Sequence, residues 1–135
     1  MENKKIITYK DLDVYQRSYN ACLLVMGQII PKLPNIEKYD LKDQTSRSSK
    51  AIPRLIAEGF AKKHQKAGFQ KYIDDAMSET NETQVSLCQC KDIYYGYIDA
   101  NICANLIKEY EIIGKQLYRL RQAWEKFSNP PKTIY

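Results

Sequence analysis

The side chains with the plainest chemistry in this chain are cations. Arg47, Lys50 and Arg54 recur at steps of three and four with no acid between them, so on a helix they share one face. Lys62, Lys63, Lys66 and Lys71 follow directly. Guanidinium and ammonium groups gathered in this way attract anions, and contact with nucleic-acid phosphates asks for little beyond the clustering. A solvated helix face has the same composition, so the pattern marks a surface without naming its ligand.

Other candidates are weaker. The lone histidine, His64, lies among lysines, and no Ser or Cys nucleophile with an orienting carboxylate can be assigned to it. Glu79 and Glu82, and Glu109 and Glu111, are paired acids, but a di-iron bundle needs two histidines in Glu-x-x-His motifs and the chain has one. Cys88 and Cys90, two apart on a helix, point about 160° away from each other, which suits neither a disulfide nor a shared metal. With Cys22 and Cys103 they read as small buried hydrophobes in a reducing compartment. Phosphate-binding glycine motifs and C-x-x-C pairs are absent. The expectation is a protein that is not an enzyme and carries no cofactor and no metal.

Positioning these cations falls to helices. Four periodic segments stand out, and no alternating strand pattern rivals them. The first spans about 11–32, with Thr8 or Asp11 as N-cap. Its main stripe is Leu12, Tyr15, Tyr19, Leu23, Met26, Ile30 and Leu33. A second stripe on another face, Val14, Ser18, Ala21 and Val25, is expected to meet another subunit, because a helix apolar on two sides has two partners. The next helix, about 41–63, is capped by Asp40 and buries Leu41, Gln44, Ser48, Ile52, Leu55 and Gly59. Pro53 should bend it, with the Ser48 and Ser49 hydroxyls partly satisfying the carbonyl that the proline frees.

A third helix over about 67–95 carries Phe69, Tyr72, Ile73, Ala76, Thr80, Thr83, Leu87, Cys90 and Tyr94, and Gly96 closes it. The fourth, capped by Asp99, has a seam of Ile102, Leu106, Tyr110, Ile113, Leu117, Leu120, Trp124 and Phe127. The fold class is therefore all-α, an antiparallel up-down-up-down four-helix bundle over 11–127, with an N-terminal extension at 1–10 and a tail at 128–135.

Charge is uneven. Residues 42–71 carry +6 and residues 72–113 carry −6 within a net charge of +5. That alternation fits helices that attract their neighbours, and equally a subunit that presents a basic end. No apolar run nears the ~20 residues of a membrane span, and no secretory signal is evident, so no membrane partner and a cytoplasmic location are expected. The eleven tyrosines, Tyr94, Tyr95 and Tyr97 among them, suit base stacking or, more commonly, interface packing.

These residues together resemble a known family. Y-K-D-L-D-V-Y-Q is similar to its aromatic-x-x-L-x-V-W/Y-Q opening. Leu41, Gln44, Arg47, Ile52, Pro53, Ile56, Ala57, Glu58 and Gly59 match its L-x-x-Q and S-I-P-x-N-I-A-E-G strings, and Phe69, Tyr72, Ala76 and Glu82 a later pattern. The family is the four-helix bundle proteins of 23S rRNA intervening sequences, related to the accessory variability protein of diversity-generating retroelements. Leu55 stands where the family has asparagine, and Ser78-Glu79 where it has Gly-Ser. The resemblance implies a homo-oligomer, typically a homopentamer, and RNA or DNA binding through a basic surface without catalysis. Arg47, Lys50, Arg54, Lys62, Lys63 and Lys66 are then the expected nucleic-acid contacts. The alternative is a scaffold module that docks a protein such as a reverse transcriptase.

Overall fold

A computed structural model describes residues 5–124. Thr8 caps a short 3-10 turn, Tyr9–Asp11, in a capping box: its hydroxyl accepts from the Lys10 amide while the Asp11 carboxylate accepts from the Thr8 and Ile7 amides. Helix α1 follows over Asp13–Leu24 and opens into a π turn at Val25–Ile29 and a 3-10 turn at Ile30–Lys32. The wide turn lies just ahead of Pro31, which has no amide to offer the Gly27 carbonyl. Helices α2 (Leu41–Ala61), α3 (Lys66–Ile93) and α4 (Ala100–Gln122) follow, and no strand occurs among the described residues.

The four helices pack in a ring, α2 most extensively on α3 and α3 on α4, with α1 closing against α2 and α4. Matched positions show the directions. Gly59 faces Tyr72 and Ile73, while Ser48 faces Thr83. Cys103 reaches the Leu87 carbonyl, Gly114 faces Thr80 and Arg121 meets Asp74. Gln116 meets Asp13 and Arg17 meets Glu109. Numbers fall along one helix as they rise along its neighbour, so each of these pairs runs antiparallel.

The core is apolar at both ends and small and polar in its middle. Val25, Ile29, Ile52, Ile56, Phe69, Ile73, Leu87, Tyr110, Ile113 and Leu117 are fully buried. Between them lie Ser18, Thr45, Ser48, Ser49, Thr80, Thr83 and Ser86, all buried. Most of these hydroxyls turn back onto their own helix: Thr80 donates to the Ala76 carbonyl and Thr83 to the Glu79 carbonyl, each at 2.8 Å. Thr83 Oγ1 also lies 2.8 Å from Ser48 Oγ, which ties α2 to α3. Short side chains leave the axes free to approach, and Gly59 sits where α2 comes closest to α3.

Several expectations need correction. Val14, Ser18, Ala21 and Val25, assigned to another subunit, are 4%, 0%, 2% and 0% exposed and belong to the chain's own core. The stripe assigned to the core is instead the outer one, with Tyr19 and Leu23 open to solvent and Tyr15 and Met26 half-buried. Leu12 and Leu33, which anchored that stripe, are indeed buried. Both have extended backbones outside the helix, so their phase does not carry through α1.

On α2 the buried face runs through Thr45, Ser49 and Ile56, leaving Gln44 exposed and Leu55 half-buried. Asp40 holds the N-cap position without a side-chain bond, and Glu37 accepts from the Leu41 amide instead. Pro53 is accommodated within an unbroken α2, but Ser48 and Ser49 donate to the Thr45 and Ser46 carbonyls, not to the one Pro53 frees. Helix α3 ends at Tyr94 without a left-handed glycine, and Gly96 has an ordinary negative φ. Asp99 caps α4 as expected, accepting from the Asn101 and Ile102 amides. Phe127 and the tail at 128–135 lie outside the described residues. No described helix is long and apolar enough to cross a membrane.

Candidate functional site

Turning Thr45, Ser49, Ile52 and Ile56 into the core leaves Arg47, Lys50 and Arg54 on the open side of α2, all exposed. Arg47 pairs with Asp43 at 3.2 Å, one turn back, with both side chains largely in water. Such a pair contributes little and does not cancel the charge toward a larger anion. Lys50, Arg54 and Lys62 form no ion pair among the described residues, and neither do Lys63 and Lys66. The Lys63 ammonium lies 4.5 Å from the Phe60 ring centroid, and that of Lys66 5.8 Å from Trp124. These contacts draw both lysines against the end of the bundle.

The six expected contacts therefore form two groups. Arg47, Lys50 and Arg54 make a ridge along α2, while Lys62, Lys63 and Lys66 gather at the turn into α3, where His64 is also exposed. The ridge has a different groove on each side. Toward α3, a groove of about 510 Å³ contains Glu58 and Glu79 beside the cations. The Glu79 carboxyl is raised above its ordinary value, first by burial and then by repulsion from Glu82, while Arg47 pulls it down. Toward α1, a groove of about 440 Å³ has Lys50, Pro53 and Arg54 on one wall and Tyr9, Tyr15 and Tyr19 on the other, and no carboxylate lines it. Tyr15 meets Tyr9 edge to face at 4.8 Å and Tyr19 in a tilted contact at 6.0 Å.

Tyr15 and Tyr19 were missed as site residues because their stripe was assigned to the core, and Tyr9 because it fell in the segment read as an N-terminal extension. A signal was present in Pro53, an apolar residue between Lys50 and Arg54 that is buried and lines the same groove. The tyrosines singled out from sequence are elsewhere. Tyr94 is half-buried with its hydroxyl donating to Glu37, a bond that, with burial, lifts the phenol to about 12. Tyr95 and Tyr97 are exposed in the turn before α4.

A third groove, about 530 Å³, separates α1 from α4, with Arg17 bonded across it to Glu109 at 2.7 Å beside the exposed Leu24. The four cysteines are unpaired; burial first raises Cys90 to about 12 and Cys103 to about 11. No three His, Cys, Asp or Glu side chains gather as metal ligands among the described residues.

Four packed helices, with no strand among the described residues and a ridge of exposed cations on α2, define a small all-α helical-bundle protein. Its I-P-R-L-I-A-E-G segment supplies both the buried Pro53 and the close approach at Gly59. The chain belongs to the 23S rRNA-intervening sequence protein family, whose model matches residues 10–119. No curated protein and no solved structure is significantly similar to it.

Proposed function

We propose that this protein is a non-enzymatic, homo-oligomeric binder of nucleic-acid phosphates, acting without sequence preference through Arg47, Lys50 and Arg54 and, at the bundle end, Lys62, Lys63 and Lys66. One observation carries the reading: Lys50, Arg54 and Lys62 are exposed and lack a carboxylate partner among the described residues. A ridge of this size makes few phosphate contacts in one copy. Repetition around an assembly, five copies by family likeness, turns weak contacts into useful avidity. The exposed Leu24 beside the α1–α4 groove offers an apolar seat for a neighbouring copy.

The test is retention of a labelled duplex across a salt series. Affinity should fall steeply with salt, and Lys50→Glu with Arg54→Glu should abolish binding at moderate salt while leaving the helical spectrum intact. Salt-independent retention, or retention by the double variant, refutes the proposal. The native mass, measured with and without nuclease, reports the copy number and any carried polynucleotide. A second reading, a scaffold for a partner such as a reverse transcriptase, is favoured by the exposed Tyr19, Leu23 and Leu24 on α1. Recovery of a stoichiometric protein partner that survives nuclease and high salt would favour it over the first.

A further inference from the structure

The two grooves flanking the cationic ridge differ in what they offer a polynucleotide. On the α3 side Glu58 and Glu79 stand beside the cations and repel phosphate. On the α1 side the cations face aromatic rings with no carboxylate in the lining. Tyr19, 48% exposed, is the outermost ring and leans on Tyr15, which Tyr9 supports edge-on. Rings braced in this way present a face at small entropic cost, because packing has already limited their rotamers.

A charged wall opposite an aromatic wall is the arrangement that holds single strands: phosphates track the cations and unpaired bases stack on the rings. A duplex can reach Lys50 and Arg54 with its phosphates, but its bases are stacked on one another and leave the tyrosines without a partner. We propose that the α1–α2 groove binds single-stranded nucleic acid, with bases against Tyr19 and Tyr15 and phosphates on Lys50 and Arg54. This rests on the phosphate-binding reading and adds to it a preference for unpaired strands and a second set of residues.

The probes are a labelled oligouridylate, an oligothymidylate and a duplex of equal length, titrated by fluorescence anisotropy against the intact protein. Either single strand should bind more tightly than the duplex. Tyr19→Ala should weaken single-strand binding about fivefold or more, as expected for losing one stacked base. It should leave duplex binding and the salt slope unchanged, since no phosphate contact is lost. Tyr19→Phe should restore the affinity and Tyr19→Leu should not, which separates a ring from mere apolar bulk. Lys50→Gln with Arg54→Gln should lower the single-strand salt slope by about 1.4, two contacts at ~0.7 each.

Ultraviolet crosslinking of a 4-thiouridine oligonucleotide to the unmutated protein gives a readout independent of any variant's folding. The adduct belongs on a peptide from residues 9–26 or 47–57. Equal binding of duplex and single strand with Tyr19→Ala silent, or adducts confined to other segments, overturns the groove while leaving the phosphate reading intact. Absence of binding to every probe at low salt overturns both.

Discussion

Two glycines should answer oppositely to the same substitution. Gly59 and Gly114 both have helical backbones without positive φ, so alanine brings no backbone strain at either site. In a helix interior alanine is favoured over glycine by about 0.8–1 kcal/mol. At Gly114, inside α4, an added Cβ meets only Thr80 Cγ2 at 3.8 Å, an ordinary contact. Gly114→Ala should therefore keep nearly the whole gain.

At Gly59 the new Cβ would lie 3.2 Å from both Ile73 Cδ1 and Tyr72 Cβ. Carbon atoms prefer about 3.5–4.0 Å. Ile73 is fully buried with nowhere to swing, and Tyr72 Cβ is fixed to the α3 backbone. The helices would have to part by a few tenths of an ångström. Overpacking of this kind costs about 1–3 kcal/mol, and Gly59 lies in the last turn of α2, where the propensity gain is smaller. The net expectation is a loss of about 1–2 kcal/mol for Gly59→Ala against a gain of about 1 kcal/mol for Gly114→Ala. Urea unfolding followed by helical circular dichroism, at one fixed protein concentration, measures both; in melting temperature each kcal/mol is worth about 3–4 °C. Gly59→Ala matching Gly114→Ala in stability would refute the claim that α2 and α3 meet too closely for a side chain.

Tyr110 buries a hydroxyl that has no hydrogen-bond partner among the described residues, so Tyr110→Phe should be neutral or stabilising by about 1 kcal/mol; a loss of that size in the same unfolding assay would mean the hydroxyl is satisfied. Burial raises the Cys90 and Cys103 thiols to about 12 and about 11, so at pH 8 about one in a thousand Cys103 groups is thiolate, and fewer of Cys90. Iodoacetamide mapping should show the half-exposed Cys22 and Cys88 modified long before either, and prompt labelling of Cys103 in native protein would contradict this core. The Glu79 carboxyl is raised by burial and by Glu82. Its protonated form therefore favours the fold, a contribution present in full below the unfolded value and lost as pH rises through the folded one. Glu79→Gln should raise the melting temperature at pH 7 and make no difference near pH 3, and by removing an acid from the α3-side groove it should tighten phosphate binding at pH 7.

The second, third and fourth helices were legible because their stripes are long and their ends are marked by turn residues; the seam from Leu106 to Leu120 in α4 is buried throughout. The cationic face was legible for the same reason, since whatever lies opposite a buried stripe is open. Helix α1 misled because it carries two stripes of similar apolarity, one residue apart. Tyr15, Tyr19, Leu23 and Met26 outweigh Val14, Ser18, Ala21 and Val25 in bulk, yet the small set is buried. Which of them is buried depends on how α1 meets α2 and α4, a tertiary quantity that a hydropathy pattern does not contain.

The alternating charge of the sequence allowed two explanations, attraction between neighbouring helices or a basic surface, and the ion pairs separate them. Salt bridges that join helices are Arg17 with Glu109 between α1 and α4, and Arg121 with Asp74 between α3 and α4. Among the described residues no cation of α2 pairs with an acid of α3, although these helices share the largest contact and carry opposite charge. Their shared face is filled by Ser48, Thr83, Gly59 and Ile73, short or apolar side chains that leave no charged group inside it. A face so tightly packed leaves the charges of both helices at its margins, where screening over a Debye length of about 8 Å weakens the attraction between the exposed ones. Lys50 and Arg54 are thus held by the fold without an ion pair among the described residues, and both stay exposed and available to an outside anion.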